Sequence, residues 1–309
     1  MRATLEARRT EAAAVLGDAV RFDEPMSPHT AYRIGGPAEL FVRVSSVPLL
    51  QAALAFAARY DLPRFVIGLG TNLLVPDEGL RGLVIKIDIN SLRADGAALI
   101  VGAGLPLPLA ARAAHEHALA GLEFAVGIPG TLGGALIMNA GCRGREIGPL
   151  VEQVEVIERD GALRTLERDA CTFGYRSSNL RTLAAAVVGA TLRLEPDDPA
   201  AIARRMKENL AWRTQAQPLQ RPNAGSVFKN PPGDAAGRLI EAAGCKGLRA
   251  GDAEVSTVHA NFIVNHGGAT YADVRALIDT VRARVEARLG VPLELELIDL
   301  GHLGEGTPP

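Results

Sequence analysis

The chain has 309 residues, 48% hydrophobic and 22% charged, with a formal net charge of -2. That length suits two or three compact units, and the composition is that of a folded protein rather than a disordered one. The 33 lysines and arginines lie among 35 acids without a basic block, so neither nucleic acid nor an anionic membrane is expected as a partner. Cys142, Cys171 and Cys245 are an odd number without metal-ligand spacing, which speaks against a disulfide framework and for a reducing compartment. Met1 to Glu11 carries charges where a signal peptide needs an apolar core, and no apolar run approaches a membrane span. A cytoplasmic location without membrane insertion is expected.

Leu49 to Tyr60 is rich in alanine and leucine and meets Asp61-Leu62-Pro63, which predicts a helix with a defined stop. Arg64 to Ile67 then reads as a strand, Val84 to Ile87 as another, and Ala98 to Ala103 as a third after the Asp95-Gly96 turn. Leu109 to Leu119 is helical. Val151, Val154, Val156 and Ile157 form one arm of a hairpin, Asp160-Gly161 its turn, and Leu163 and Leu166 its return. Val187 to Leu194 closes this region as a strand. Glu195 to Pro199 marks a boundary, with Pro199 suited to the first turn of a helix from Ala200 to Arg213. Gln217 to Pro222 is a linker. Val274, Leu277, Ile278, Val281 and Val285 recur at helical spacing, so one face of that helix is expected on a sheet. Leu293 to Leu297 alternates with period two, predicting a half-buried strand with Glu294 and Glu296 on its open face. The tail from Gly301 has little to pack and is expected to be loose.

Two glycine-rich loops stand out. Gly68-Leu-Gly-Thr-Asn-Leu-Leu-Val75 follows the apolar run Phe65 to Ile67, and a second loop runs from Ala125 to Gly141 with almost no charge. Glycine permits positive φ and close backbone approach, so bare N–H groups can cradle a phosphate. Either loop alone reads equally as tight turns around a core; the pair, with Thr71, Asn72, Thr131 and Asn139, favours a dinucleotide. The first loop has Leu73 where a Rossmann fingerprint needs its third glycine, and Pro76 breaks the helix that would follow. No Walker lysine follows either loop, and Ser226 lacks a nucleophile-elbow pattern. His115 and His117 do not face each other on a helix, so no metal site is expected. FAD in an α+β flavoprotein fits what remains.

At these loops the sequence resembles the UDP-N-acetylenolpyruvoylglucosamine reductases. The matching stretches, in order, are His29 to Ala38 (HTAYRIGGPA), Gly68 to Gly79 (GLGTNLLVPDEG), Gly121 to Ala135 (GLEFAVGIPGTLGGA), Phe173 to Ser178 (FGYRSS), Ala224 to Pro231 (AGSVFKNP) and His259 to Asn265 (HANFIVN). The resemblance covers nearly the whole chain, from about Phe22 to Gly301. It implies a vanillyl-alcohol-oxidase (PCMH-type) FAD-binding domain in two lobes, residues 1–85 and 86–198, then a substrate-binding α+β domain, 199–301, and a tail, 302–309. The short path from the Phe173 motif to Val187 leaves little room for a tyrosine-bearing insertion, which implies the shorter, second type of the family. Two departures are Cys142 and Arg143, where small or aromatic residues plus glycine are usual, and Ile298, where an arginine is common in the last strand.

The implied reaction reduces UDP-N-acetylglucosamine enolpyruvate to UDP-N-acetylmuramate for peptidoglycan synthesis, with non-covalent FAD as cofactor and NADPH as hydride donor. The ligands are thus small molecules, and no obligate protein partner is implied. FAD-binding positions are Arg33, Ile34 and Gly35; Gly68, Leu69, Gly70, Thr71, Asn72 and Leu73; and Ile128, Pro129, Gly130, Thr131, Gly133, Gly134, Ala135 and Asn139. Arg176 matches the position that meets charge developing on the substrate carboxylate, since stabilisation counts where it is stronger in the transition state. Ser226 matches the proton donor to the α-carbon, with Lys229 expected to supply a cationic setting. Glu296 matches the group that bonds the intermediate or assists the proton, and Glu294 is expected to be merely solvated. Tyr175, Arg213, Lys229 and Asn230 are the expected contacts for the nucleotide's diphosphate and carboxylate. Two other readings stand beside this one: an oxidase of the same fold that passes electrons to oxygen, and a non-catalytic nucleotide-binding protein. The presence of Arg176, Ser226 and Glu296 disfavours the second.

Overall fold

The strand expected at Arg64–Ile67 lies parallel to Leu80–Ile87, and the two anchor the first of two main sheets. The computed structural model describes residues 4–302. Lobe one comprises helix α1 (Leu5–Leu16), strands β1 (Val20–Pro25) and β2 (Pro37–Val44), helix α2 (Val47–Arg59), and strands β3 (Arg64–Ile67), β4 (Leu73–Leu74) and β5 (Leu80–Ile87). Its sheet order is β1-β2-β5-β3, with β2, β5 and β3 mutually parallel. Ser46 caps α2 by accepting from Leu49 N, and Pro48 sits in the first turn. The central strands are buried on both faces, as parallel strands require. Leu40, Val42, Leu83 and Ile85 join the core shared with lobe two, while Phe41 and Val84, paired in register, join a smaller cluster with Met26 and Leu300.

Lobe two begins at β6 (Leu92–Asp95) and β7 (Ala98–Gly102), continues through α3 (Leu107–Glu116) and α4 (Leu132–Ile137), and contains α5 (Leu180–Leu183). Its five-stranded antiparallel sheet runs Leu163–Glu167, Val151–Glu158, Ala184–Arg193, β7, β6. The expected hairpin is present, with Gly161 at φ +88° in its turn. Val154, Val156, Leu99 and Val101 pack into the same core as α2, so one apolar interior runs under both lobes.

Helix α6 (Pro199–Ala216) starts at Asp198, whose carboxylate accepts from Ala200 and Ala201 N. The sequence places this helix at the start of the C-terminal domain; the structure packs it on lobe two instead. Arg205 bridges Glu123 and Asp197, and Met206 packs against the core that runs under the two lobes. Beyond it, α7 (Ala236–Ala242), α8 (Tyr271–Leu289) and a sheet of Arg249–Ala250, Ala253–Val255 and Ile263–Asn265 surround a separate core. Val274, Leu277, Ile278, Val281 and Val285 of α8 all face that core, as their spacing predicts.

Tyr32, Ile34 and Leu74 of lobe one enter the C-terminal core. Asp77 accepts from Tyr271 and Ala272 N at the start of α8, and β4 pairs in parallel with Ile298–Asp299. Leu293 to Leu297 is not the regular strand expected. Its ladder is a single bridge, Phe228 to Leu295, because the segment must turn at Leu297 to bring Ile298 beside β4. The start of the tail is tied rather than loose: Gly301 N donates to Asp299, and His302 meets the Tyr271 hydroxyl at 2.8 Å. The remainder of the expected tail lies outside the described residues.

Candidate active site

The two glycine loops lie side by side. Thr71 Oγ1 donates to Pro129 O at 3.2 Å, and Leu107 N and Leu132 N tie the second loop to the segment before α3. Gly70 has φ +63°, and a Cβ there would lie 2.1 Å from His29 O; one at Gly68 would lie 2.4 Å from Thr131 Oγ1. Side chains are excluded, so bare backbone faces the space in front of the loops. That space is a cavity of about 790 Å³, reaching from the loops to the C-terminal domain. Gly68 to Leu73, Ile128 to Thr131 and Gly133 to Ala135 all line it. A cradle of bare N–H groups in a cavity of this size suits the dinucleotide FAD.

Arg176 and Glu296 meet at the wall of the same cavity. Arg176 sits with Tyr175 in the tight turn between Phe173–Gly174 and Ser177–Ser178, at φ +52°, and its guanidinium lies 5.3 Å over the Tyr175 ring. Arg176 Nε is 2.7 Å from Glu296 Oε1, without the N–H alignment of a hydrogen bond. Burial pushes the Glu296 carboxyl up from its ordinary value, against the opposing pull of Arg176 and Lys229. Glu294 is different: its side chain is 78% exposed and meets Lys229 at 3.4 Å. The two glutamates therefore do not share one open face, since the segment lacks the pleat that would align them.

Ser226 lines the cavity just after Gly225, whose φ is +77°. The residues that follow it run against the glutamate segment: Glu296 N donates to Val227 O and Lys229 N to Glu294 O, each at 2.9 Å. Buried Asn261 fastens this stretch, its Oδ1 accepting from Phe228 N at 2.9 Å and its Nδ2 donating to Phe228 O at 2.8 Å.

Arg213 and Asn230 also line the cavity, and Asn230 Oδ1 accepts from Ala236 N at the start of α7. Tyr175 and Lys229 do not line it. Tyr175 is 48% exposed, with its hydroxyl accepting from Asn230 N, and Lys229 is drawn outward by Glu294. Arg176, unlike Lys229, thus lines the cavity together with Ser226.

Four expected FAD positions lie off the cavity. Arg33 is exposed at φ +57°, Ile34 is buried in the C-terminal core, and Gly35 packs against Val75 and Met26. Asn139 is buried as a tie, donating to Glu146 and Gly174 O and accepting from Gly148 N. A motif match alone does not distinguish such residues from those that line the cavity. Sequence reasoning gave no role to Arg143, Trp212, Arg238, Lys246 or His259, all of which line the cavity. His259 lay within a recognised motif; the others carried no local signal. Among the described residues no group of His, Cys, Asp or Glu gathers as a metal site.

A family model described as UDP-N-acetylenolpyruvoylglucosamine reductase, C-terminal domain, matches residues 217–298, and one described as FAD binding domain matches residues 38–167. The first begins after α6, in agreement with the packing of that helix on lobe two. The UDP-N-acetylenolpyruvoylglucosamine reductase of Moorella thermoacetica is 50% identical over 276 residues, 89% of this chain and 91% of that protein. Reductase 2 of Symbiobacterium thermophilum is 48% identical over 285 residues, 92% of each. The crystal structure of the UDP-N-acetylenolpyruvylglucosamine reductase from Thermus caldophilus has a TM-score of 0.78 and 39% identity, covering 91% of this chain and 97% of that one. An FAD-binding domain in two lobes, a matching C-terminal domain and relatives at this identity show that the chain is a flavin-dependent oxidoreductase belonging to the UDP-N-acetylenolpyruvoylglucosamine reductase family.

Proposed function

We propose that the protein reduces UDP-N-acetylglucosamine enolpyruvate to UDP-N-acetylmuramate in peptidoglycan synthesis, with NADPH as the hydride source. The observation that carries this reading is the Arg176–Glu296 contact, set with Ser226 in the same cavity as the two glycine loops. FAD supplies the two-electron hydride chemistry when bound, held by the loop backbone at Gly68 to Leu73 and Ile128 to Ala135. Over a turnover, the terminal carbon of the enol ether gains a hydride and the α-carbon a proton. One NADPH and one proton are consumed, and one NADP⁺ is released.

The protein's part is electrostatic and positional. As hydride adds, charge accumulates on the carboxylate side of the substrate, and the Arg176 guanidinium meets it with fixed geometry. Ser226 gives its hydroxyl proton to the α-carbon, in a cavity that Arg176 also lines. Glu296, with its carboxyl held towards the protonated form, donates a hydrogen bond to the developing enolate or helps reprotonate the serine. Arg213 and Asn230 are assigned to the nucleotide. The reading also places the enzyme in the cytoplasm, where Cys142, Cys171 and Cys245 remain reduced.

The test is spectroscopic. Purified protein should be yellow, and anaerobic NADPH should bleach it. Colour should return on adding the enolpyruvyl nucleotide and not on adding UDP-N-acetylglucosamine. Rapid return of colour in air without that nucleotide would make it an oxidase and overturn the reading.

A further inference from the structure

The chain around Glu296 has little backbone to hold it. Its ladder against Phe228 is a single bridge, and beyond the turn at Leu297 the Ile298–Asp299 strand is two residues long. Two hydrogen bonds tie that strand to the first glycine loop and β4, Ile298 N to Asn72 O at 3.0 Å and Leu300 N to Leu74 O at 2.9 Å. Sliding it by one residue along β4 would turn its side chains to the opposite face and displace Glu296 with them. A working carboxyl has to be held to within about 0.5 Å of its productive place.

Asp299, three residues after Glu296, supplies what the backbone lacks. Its side chain is 4% exposed, and a carboxylate buried this deeply is costly unless its oxygens are met. Oδ1 accepts from the Tyr271 hydroxyl at 2.9 Å and from Gly301 N at 3.0 Å, and Oδ2 accepts from Arg275 Nη1 at 3.2 Å. His302 Nδ1 lies a further 3.4 Å from Oδ2. Tyr271 and Arg275 stand one turn apart on the same face of α8. Burial, and then Asp299 itself, raise the pKa of Tyr271, so its hydroxyl remains a donor. Gly301 passes so close that a Cβ there would lie 2.5 Å from the Tyr271 hydroxyl. Lobe one holds the first turn of α8 independently, through Asp77 and the Tyr271 and Ala272 N–H groups. Asp77 stands three residues after Leu74, the β4 partner of Asp299. Both strands of the short ladder are thus tied to the same helix turn.

We propose that Asp299, Tyr271 and Arg275 are positioning residues for the reduction: they fix the register of the Ile298–Asp299 strand on β4 and so hold Glu296 at the cavity. The assignment rests on the functional reading above. None of the three lines the cavity, so their effect reaches the reaction through Glu296. A buried polar network of this kind specifies one register because its members are all satisfied only there.

The experiment uses FAD-loaded wild type, Tyr271→Phe, Asp299→Asn, Glu296→Gln and the double variant Tyr271→Phe with Glu296→Gln. Stopped-flow absorbance, expressed per bound flavin, separates reduction by NADPH from reoxidation by saturating enolpyruvyl nucleotide. Hydrogen exchange reads the strand itself. Tyr271→Phe and Asp299→Asn should each slow reoxidation about tenfold or more while reduction stays within about twofold of wild type. Amides of residues 296–300 should exchange about tenfold faster or more in both. In the Glu296→Gln background, Tyr271→Phe should slow reoxidation by less than about twofold further, since both changes act at one carboxyl. Reoxidation at the wild-type rate in both variants, whatever their melting temperatures, would make the network structural only and overturn the proposal. So would unchanged exchange at 296–300, or a full second loss on top of Glu296→Gln. Tyr271→Phe removes one hydroxyl and keeps the ring, so it remains informative if Asp299→Asn fails to fold. If the nucleotide does not reoxidise reduced wild type, the functional reading is what fails, and exchange still decides the register.

Discussion

Asn72 Nδ2 donates a 2.9 Å hydrogen bond to the main-chain carbonyl of Glu296, a residue 224 positions later in the chain. Asn72 returns the favour through its own carbonyl, which accepts from Ile298 N at 3.0 Å. The first glycine loop and the segment carrying the buried carboxyl are therefore one unit. Each bond contributes about 1 kcal/mol net, little beside the domain cores, yet together they fix the spacing of cradle and carboxyl. Ile298, which departs from the family pattern, serves here through its backbone.

Glu296→Gln keeps shape and hydrogen bonding but removes the ability to relay a proton. Turnover is expected to fall by about 10²-fold or more, the scale of general acid–base groups, with FAD content unchanged. Glu294→Gln removes an exposed charge and should change turnover by less than about threefold. Steady-state rates in the opposite order would move the functional carboxyl to Glu294.

The same residue gives a pH signature. Because burial raises the Glu296 pKa in the folded state, its contribution to stability is full below the ordinary value of 4.5 and is lost as pH rises through the folded pKa. Glu296→Gln resembles the protonated form and lacks this loss. The melting temperature of the variant minus that of wild type should therefore become more positive from about pH 4 to about pH 8. A difference that falls over that range would mean Arg176 wins over burial.

Ser226→Ala should leave flavin reduction by NADPH near its wild-type rate and slow reoxidation by the enolpyruvyl nucleotide about 10²-fold or more, because proton donation belongs to the second half-reaction. Stopped-flow absorbance separates the two. Equal impairment of both would make Ser226 a structural residue.

Gly70→Ala forces a Cβ to within 2.1 Å of His29 O at a φ of +63°. The loop must move, and the protein should purify without flavin colour. Gly96→Ala is the control: its φ is +57° but nothing lies within 4 Å. It should lose only about 1 kcal/mol and retain FAD. A fully yellow Gly70→Ala protein would show that this loop does not hold the cofactor.

Asn261→Ala leaves both Phe228 backbone groups buried without partners. Such groups cost about 1–3 kcal/mol each, so urea unfolding should show a loss of roughly 2–6 kcal/mol. Asn261→Asp keeps the acceptor for Phe228 N and loses the donor to Phe228 O, so it should fall between. A loss below about 0.5 kcal/mol, the scale of ordinary surface substitutions, would mean that water replaces the amide.

What the sequence determined by itself was whatever depends on neighbours along the chain. Alanine and leucine richness with a stop marked α2, Pro199 marked the start of α6, apolar spacing marked α8 and the Val151–Glu167 hairpin, and glycine spacing marked both loops, because these signals are local along the chain. The six ordered motifs carried the family and its chemistry. Only the tertiary structure decided which residues meet. Glu294 and Glu296 are chemically identical and two positions apart, yet one is solvated beside Lys229 and the other is buried against Arg176. Arg33 and Asn139 sit in matched motifs but do not line the cavity, while Arg143 and Trp212, without any motif, line it. Helix α6 was legible as a helix but not as part of lobe two, because its attachment rests on Glu123, distant in sequence. Burial, desolvation and ion pairing are properties of through-space surroundings, and those exist only once the chain has folded.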